Sequence, residues 1–389
     1  MRFVIFAHPS FLKSESMPRY ARMLQDGLEE AGHTVSMMQP QPYFYRVLGQ
    51  TRAAKWASYA DQYLLFPFKV IAADLQIASD TLFIFADQAL GPWVPYVRRH
   101  RKVVHCHDFL ALKSALGHYP ENPTRLSGRI YQKYIRWGFR KCQNFISISR
   151  RTAFELESVG GAKPRFSATI YNGLNYPFRP LAPPTIEQEL SLAGLKFMSG
   201  HFLLFVGGEQ WYKNRRGLLM IYKAYAEQES QPLPLVCVSP EPQGELAEFL
   251  RNMQSQPGSV HFLQHASPSL LQALYSGARL MMFPSLAEGF GWPLIEAQAC
   301  GCPVLTTDDA PMNEIAGPVA RFLPKLAADT DLASWATKGA AAIQAALTIP
   351  EAERQQVRER AIQWAAKFEQ KSAQASYLAA YTKVAESPL

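Results

Sequence analysis

The chain has 389 residues, of which 48% are hydrophobic, and its 40 basic and 32 acidic residues give a formal net charge of +8. This length suits two domains of ordinary size, each with its own core. No apolar run approaches the roughly 20 residues that span a bilayer, which excludes a bundle of membrane helices, and the composition excludes a largely disordered chain.

The first half alternates strands with helices. The opening MRFVIFAHP is too soon interrupted for a signal peptide and predicts a strand over residues 2–7. A helix is expected over residues 17–31 and a second strand over 33–38. Further strands are predicted at 81–86, 102–106, 144–149 and 168–171. Such alternation predicts a parallel sheet with helices on both faces.

A Pro-rich passage at 176–184 interrupts this pattern, and a second series follows. Its strands are predicted at 201–206, 234–238, 259–263, 279–283 and 303–306. We therefore predict an α/β protein with two Rossmann-like, doubly wound parallel-sheet domains facing a cleft. The domains are residues 1–180 and 181–365, and 366–389 is a closing helix. The helical pattern from 350 onwards has four expected anchors: Trp364, Phe368, Tyr377 and Tyr381.

The segment FPSLAEGFGWPLIEAQACG, residues 283–301, sets Glu288 and Glu296 on either side of a Gly-rich turn. Gly289 and Gly291 let the backbone approach a ligand closely, and Pro293 fits the first turn of a helix. The amino terminus of that helix favours a phosphate group, and a carboxylate can accept hydrogen bonds from a vicinal diol. The pattern indicates a site for a diphosphate-linked sugar; the alternative is a capping acid and a loop acid.

A second segment has related chemistry. The strand at 201–206 is followed by Gly207, Gly208 and then GEQWYKNRRGLLMIYKAY, which contains Lys213. A cation after a glycine pair at the end of a strand can neutralise a leaving diphosphate. The alternative is that Lys213, Arg215 and Arg216 form a solvated helix start.

The stretch EGFGWPLIEAQACGCPVLTTDDAPMNEIAG resembles the signature of the retaining nucleotide-sugar glycosyltransferases of family 4. The resemblance implies the GT-B fold, with the last helix crossing back onto the first domain. In that family the second Glu holds the ribose, the first contacts sugar hydroxyls, and the turn contacts the sugar and diphosphate. The expected donor-binding residues are Gly208, Lys213, Glu288, Gly289, Phe290, Gly291, Trp292 and Glu296.

Two departures from the family pattern concern the part that contacts the diphosphate. Lys213 and Asn214 are in register with the family's Arg-Lys-Asn stretch, but Tyr212 stands where that stretch has Arg. Diphosphate binding would then rest on Lys213 with Arg215 or Arg216. Near the amino terminus the family's Gly-Gly loop is missing, and the corresponding loop has Ser14, Ser16 and Arg19 instead.

In the first half, VVHCHDFLALKSALG resembles the family's strand that ends in His-Asp, which implies that His107 reaches the reaction centre. The expected catalytic residues are therefore Glu288, Lys213 and His107. Without the resemblance, core packing or capping is the default role for His107. A metal site is not expected, because His105 shares a face with His107 whereas Cys106 does not.

Two shorter matches concern local structure. NFISISRRTAFEL resembles a strand that leads to a capped helix, with Ser149 as the N-cap. TIYNGLN resembles a family turn, and we expect positive φ at Asn172 and Gly173.

No metal or cofactor is expected, and the donor would be a UDP- or GDP-sugar. Asp329 and Asp331 have the spacing of a metal-binding pair in another glycosyltransferase fold, but they precede an Ala-rich helix and are expected to cap it. Resemblance to a retaining family implies that the acceptor attacks on the face from which the nucleotide leaves. The acceptor would be a glycan or a lipid-linked saccharide in cell-surface polysaccharide or lipopolysaccharide synthesis.

Two alternatives remain open: a catalytically silent nucleotide-sugar-binding or scaffolding subunit, and a GT-B epimerase or phosphorylase. Basic residues cluster at 96–102 and 125–141, and the second cluster is mixed with aromatic residues, which suits either an anionic membrane surface or a packed helix with a solvated face. No nucleic-acid motif accompanies them. Five scattered cysteines fit a reducing cytoplasm, and we expect a cytoplasmic protein. If the basic clusters bind a membrane, the protein is peripheral on its inner face.

Overall fold

The computed structural model describes residues 1–12, 16–253, 258–327 and 329–387. It divides the chain into two α/β units: unit 1 comprises Met1–Gly173 with Gln370–Leu389, and unit 2 comprises Leu174–Glu369. The boundaries therefore fall after residues 173 and 369, where the sequence led us to expect 180 and 365.

Unit 1 is built on short buried strands that alternate with helices. Its strands are β1 (Arg2–Phe6), β2 (Thr34–Met38), β3 (Thr81–Phe85), β4 (Lys102–Cys106), β5 (Asn144–Ser147) and β6 (Phe166–Thr169). The helices within residues 1–173 are α1 (Ser16–Glu30), α2 (Tyr43–Leu48), α3 (Ala54–Ala60), α4 (Phe66–Gln76), α5 (Leu110–Ala115), α6 (Leu126–Phe139) and α7 (Arg150–Ser158). A π-helical turn, Asp61–Leu65, joins α3 to α4, and a 3₁₀ segment, Gln88–Tyr96, follows β3.

The sheet of unit 1 has the order β2-β1-β3-β4-β5-β6, and all its pairings are parallel. All five residues of the central strand β3 are buried, as expected for a strand with helices on both sides. The edge strands β2 and β6 are partly exposed. Because the strands are parallel, the carboxyl ends of β1, β3 and β4 lie side by side, and we call this side of the sheet its carboxyl edge.

Unit 2 has the same plan. Its strands are β7 (Leu203–Val206), β8 (Leu235–Val238), β9 (Val260–Leu263), β10 (Leu280–Phe283), β11 (Val304–Thr307) and β12 (Arg321–Leu323). Its helices are α8 (Pro183–Leu192), α9 (Arg215–Ala226), α10 (Gly244–Met253), α11 (Pro268–Gly277), α12 (Trp292–Ala299), α13 (Met312–Ala316), α14 (Leu332–Leu347) and α15 (Glu351–Ala365).

The sheet of unit 2 has the order β12-β11-β10-β7-β8-β9 and is again parallel throughout. Its core joins the buried faces of α9 and α14 to the strands. The predicted pair of parallel Rossmann-like sheets is confirmed. Eleven strands lie where the alternation of strands and helices predicted them, and each of their ends is within two residues of its predicted position.

The last helix, α16 (Gln370–Glu386), belongs to unit 1. A chain of buried hydrogen bonds attaches it: Tyr381 Oη lies 2.7 Å from His105 Nε2, and His105 Nδ1 lies 2.8 Å from Tyr20 Oη. Tyr20 donates to Tyr377 Oη at 3.1 Å, and Tyr377 donates to Asn172 Oδ1 at 3.3 Å. Because the Tyr20 hydroxyl donates its hydrogen bond to Tyr377, it accepts one from Nδ1–H of His105. Nε2 of His105 then accepts from Tyr381, so a neutral imidazole satisfies every hydrogen bond in this series.

Burial lowers the pKa of His105 well below its usual value, which favours this neutral form. The two predicted aromatic anchors of α16 are confirmed, since Tyr377 and Tyr381 are both buried. The predicted long helical pattern is interrupted by a 3₁₀ turn, Ala366–Phe368, which separates α15 from α16.

Three local features differ from the sequence analysis. The strand expected at 168–171 is Phe166–Thr169, because its pairing with β5 sets Phe166 opposite Asn144. The three-residue strand β12 was missed because it is too short to show alternation. Gly173 and Asn172 do not have positive φ.

Gly173 is needed for close packing. A Cβ at this position would lie 2.6 Å from Gln370 Cα, so only glycine lets the chain pass the start of α16.

The basic and aromatic segment 125–141 lies partly in the core and partly on the surface. Ile135 and Phe139 are buried core residues of α6, while Tyr131 and Tyr134 pack against Tyr63. Trp137 is the aromatic residue of this cluster that is exposed. Among the described helices, none is both long enough and apolar enough to cross a bilayer.

Candidate active site

Two loops of unit 2 meet because their strands are neighbours. β7 and β10 pair in parallel, with Leu203 opposite Leu280, so both strands end at the same edge of the sheet. The loop after β7 leads to Lys213, and the loop after β10 leads to Glu288. In open α/β sheets this carboxyl edge is where ligands bind.

Lys213 and Glu288 form a direct ion pair, with 2.7 Å between Nζ and Oε1. The side chains are 12% and 8% exposed, respectively, so both charges are largely removed from water. The ammonium group also lies 4.8 Å from the centre of the Phe283 ring. Two of the predicted catalytic residues are therefore in contact, and each holds the other in place.

Asn214 fixes the lysine loop, and its role was missed. Its backbone is left-handed, with φ 52° and ψ 46°, and its side chain caps α9 by accepting from Gly217 N at 3.1 Å. Nδ2 donates to Pro284 O at 3.0 Å, which joins the two loops. The Leu286 N–H donates to Tyr212 O at 2.7 Å and adds a second link. Asn is the residue type best suited to such a cap at positive φ.

The turn before α12 depends on Gly291, which has φ 95° and occupies the N-cap position. A Cβ there would lie 3.0 Å from Leu294 Cδ1 in addition to being strained. Pro293 is in the first turn, as predicted, and Trp292 is the first helical residue. Phe290 is buried and packs edge-on against Phe368, 6.0 Å between centroids. This aromatic contact fixes the turn.

The remaining predicted donor-binding glycines lie in the same loops. Gly208 follows β7, and a Cβ there would meet the flexible end of Gln210 at 2.5 Å. Gly289 lies between Glu288 and the buried Phe290.

Glu296 lies on the second turn of α12 and is 7% exposed. Its Oε2 accepts a hydrogen bond of 2.9 Å from the hydroxyl of Tyr275 on α11. Burial, reinforced by the charge of Glu296, raises the pKa of Tyr275 well above its usual value, so the phenol stays a donor. Tyr275 therefore orients this carboxylate, a role that no sequence motif singled out.

Arg215 lies across the end of β8. Its Nη1 donates to Ser239 Oγ at 2.9 Å and to Pro240 O at 2.6 Å, which ties α9 to the next loop of the edge. Arg216 is exposed one residue further on. Of the two cations that remained open for diphosphate binding, Arg215 is the one held at the strand ends.

In unit 1, His107 lies just beyond the end of β4. Its Nε2 is 2.8 Å from Ala86 O, so Nε2 carries the proton, and its backbone N–H donates to Gln88 Oε1 at 2.8 Å. Burial lowers the pKa of its imidazole. The ring also meets Tyr20 edge-on at 4.5 Å. His107 is a neutral, fixed group at the carboxyl edge of this sheet.

A second histidine at this edge was missed. His8, after β1, has Nε2 2.8 Å from Asp87 Oδ2, which follows β3. Although burial alone would raise the pKa of Asp87, the hydrogen bond from His8 and the nearby imidazoles hold it below its usual value. The signal in the sequence was a polar residue directly after each of two apolar strands.

Some predicted caps are confirmed. Asp331 accepts from Ala333 N and Ser334 N at the start of α14, and Ser149 accepts from Thr152 N at the start of α7. Ser14 lies outside the described residues, whereas Ser16 and Arg19 are in the first turn of α1. Within the described ranges, no group of three or more His, Cys, Asp or Glu residues is arranged to hold a metal.

Part of unit 2 matches a known protein family. Residues 200–344, which include Lys213, Glu288 and Glu296, match the family model "Glycosyl transferases group 1". By this match, unit 2 resembles the group 1 glycosyltransferases. The sequence resemblance to this class of enzyme is confirmed, and unit 2 contains the matched residues.

Among curated relatives, the chain is 29% identical over 117 residues to O-antigen chain mannosyltransferase B of Escherichia coli, which is 30% of this chain and 31% of that protein. It is 23% identical over 194 residues to O-antigen chain mannosyltransferase RfbU of Salmonella typhimurium, half of each chain. The matches thus span 31% and 50% of these two relatives.

Sucrose-phosphate synthase from Thermosynechococcus elongatus has a similar fold, with a TM-score of 0.72 at 17% identity over 98% of both chains. At this identity the similarity concerns the fold alone. It supports the GT-B fold for this chain.

Proposed function

We propose that this protein is a retaining hexosyltransferase. It moves a hexose from a nucleoside diphosphate sugar, UDP- or GDP-linked, to a glycan or lipid-linked saccharide. The observation that carries the proposal is the Lys213–Glu288 ion pair, which lies at the ends of neighbouring strands and beside the turn that opens α12. The names of the O-antigen mannosyltransferase relatives support a hexose and a role in cell-surface polysaccharide synthesis.

In the proposed donor complex, the diphosphate takes the place of Glu288 beside the Lys213 ammonium. The released carboxylate then accepts hydrogen bonds from the sugar hydroxyls. The amino terminus of α12 stabilises the phosphate charge further, because the helix dipole is positive there. A fixed ammonium in a site with little water stabilises the leaving group in the transition state without a metal.

Glu296 is proposed to hold the ribose. Its Oε2 already accepts from Tyr275, which fixes the carboxylate plane so that it can accept from a vicinal diol. Tyr275 is thus a positioning residue in this proposal.

The transfer step breaks the bond between the anomeric carbon and the phosphate oxygen, and the diphosphate departs with the electron pair. The acceptor hydroxyl forms the new bond on the same face, and its proton goes to the departing phosphate oxygen. Glu288 stabilises positive charge on the sugar ring and forms no covalent bond to it. His107 is proposed to contact the sugar or the acceptor. The protein is proposed to act in the cytoplasm, on the inner face of the membrane.

The first experiment screens UDP- and GDP-hexoses for thermal stabilisation of the purified chain and then measures nucleoside diphosphate release from the best donor, with and without a chelator. A donor that stabilises the protein but is never turned over would favour the competing function, a catalytically silent sugar-nucleotide-binding subunit.

The second experiment removes the ion pair. Lys213→Ala and Glu288→Gln should each lower kcat at least about a hundredfold, since each removes charge stabilisation in the transition state. Lys223→Ala and Glu227→Gln are matched controls, because these residues form an exposed pair on α9, 3.6 Å apart. Full activity in either ion-pair variant, or equal losses in the controls, would refute the assignment.

A further inference from the structure

The helical layer α2–α4 of unit 1 has an unusual apolar surface. Along the π turn and α4, large residues recur at one-turn spacing on the outside: Leu64, Phe68, Ile71 and Leu75 are all exposed, Phe68 by 72%. The opposite stripe of the same helix is buried in the core and consists of Phe66, Val70 and Ala73. A helix that is apolar on both sides requires an apolar environment on its outer side as well.

α6 continues this surface. Its outward positions Leu126, Ile130 and Trp137 are exposed at the same spacing, with Lys133 between them. The two helical segments are in contact, because Tyr63 Oη lies 2.6 Å from Tyr131 Oη. Tyr59 also stacks on Tyr131, with 5.5 Å between ring centroids.

The shorter helices α2 and α3 add further exposed apolar residues. These are Tyr43, Phe44, Val47, Leu48 and Trp56. α2 is joined to α4 by Lys69, whose Nζ donates to Tyr43 Oη at 2.9 Å and lies over its ring. We call the exposed residues of α2, α3, the π turn, α4 and α6 the apolar face.

The charges on this face all have one sign. Exposed cations stand between the apolar residues: Arg46, Arg52, Lys55, Lys69, Arg125, Arg129 and Lys133. The segment 43–76, described throughout, contains two acids, and both are buried. Asp61 accepts from Phe44 N and Tyr45 N, and Asp74 accepts from Arg98 N, Arg99 N and His100. α6 contains no acid.

We propose that the apolar face docks on an anionic phospholipid bilayer. Apolar and aromatic side chains would enter the interface, while the cations contact lipid phosphates. A protein partner would require matching acids on its own surface, whereas an anionic bilayer supplies both an apolar layer and negative charge. This inference does not rest on the transfer reaction proposed above.

The test is flotation of the full chain with vesicles of phosphatidylcholine alone and of phosphatidylcholine with phosphatidylglycerol. The wild-type protein should float with the anionic vesicles only. Leu64→Gln/Phe68→Gln should lower the partition coefficient at least about tenfold, because two large apolar groups no longer enter the bilayer. Arg52→Glu/Lys55→Glu should lower it by a similar factor.

Two matched controls test whether vesicle binding depends on this face or on any exposed apolar or basic residues of the protein. Leu192→Gln/Met198→Gln removes equally exposed apolar residues from unit 2. Arg165→Glu/Lys383→Glu makes the same charge change in another basic part of unit 1, a cavity of about 560 Å³. Both control proteins should float like the wild type.

Absence of flotation by the wild-type protein, or equal losses in test and control variants, would overturn the proposal. A dimer that is abolished by Leu64→Gln/Phe68→Gln, with no lipid binding, would also overturn it by making the face a protein interface. Nucleoside diphosphate release measured in solution on the same variants keeps the two proposals distinct, since loss of docking should leave donor turnover unchanged.

Discussion

At the scale of single residues, the site combines groups that the sequence could identify with groups that it could not. Lys213 and Glu288 were predictable because each follows an apolar strand within a Gly-rich loop. Their direct contact was not, because 75 positions separate them and only the order of β7 and β10 brings them together. Asn214 was overlooked as a site residue, since its left-handed backbone is visible only in the structure.

We expect Asn214→Ala to destabilise the protein by about 2 kcal/mol, because it removes the cap of α9 and because alanine tolerates the left-handed backbone less well than asparagine does. Asn214→Gly should cost less, since glycine tolerates that backbone. Urea unfolding followed by tryptophan fluorescence measures both. An alanine variant as stable as the wild type would show that Asn214 does not hold the loop.

At the scale of elements, the buried strands were predictable because central parallel strands are continuous apolar runs. The helices over residues 43–76 were not, because two of them are very short and the third is apolar on both faces. The series of Tyr–His hydrogen bonds that attaches α16 could not be predicted from the sequence either. Its aromatic residues were predicted as anchors, but their hydrogen bonds were not.

Stability should fall as the pH drops below about 6.5, the ordinary pKa of histidine. Burial lowers the pKa of His105 and of His107 in the folded state, so below that pH the unfolded chain binds protons that the folded chain does not. Each histidine contributes a slope of up to about 1.4 kcal/mol per pH unit. Urea unfolding between pH 7.5 and 5.5 tests this, with His105→Gln expected to give a shallower slope. Constant or rising stability toward pH 5.5 would contradict it.

At the scale of the whole molecule, two parallel sheets with the same plan were predictable from the repeated alternation of strands and helices. The proposed donor site in unit 2 was easier to predict, because a diphosphate sugar requires glycines, a cation and carboxylates at particular strand ends. The proposed docking face of unit 1 was harder to predict, since binding to a lipid surface requires only exposed apolar and basic residues, without fixed spacing. The apolar face could be recognised only from the structure, which shows that one side of α4 is buried while the other, equally apolar side is exposed.

The most direct test of the central claim is a crystal structure of the full chain with an intact nucleoside diphosphate sugar. We predict a diphosphate within hydrogen-bond distance of Lys213 Nζ and at the amino terminus of α12, with the sugar at Glu288 and the ribose at Glu296. A donor bound elsewhere, with the Lys213–Glu288 ion pair intact, would contradict the account.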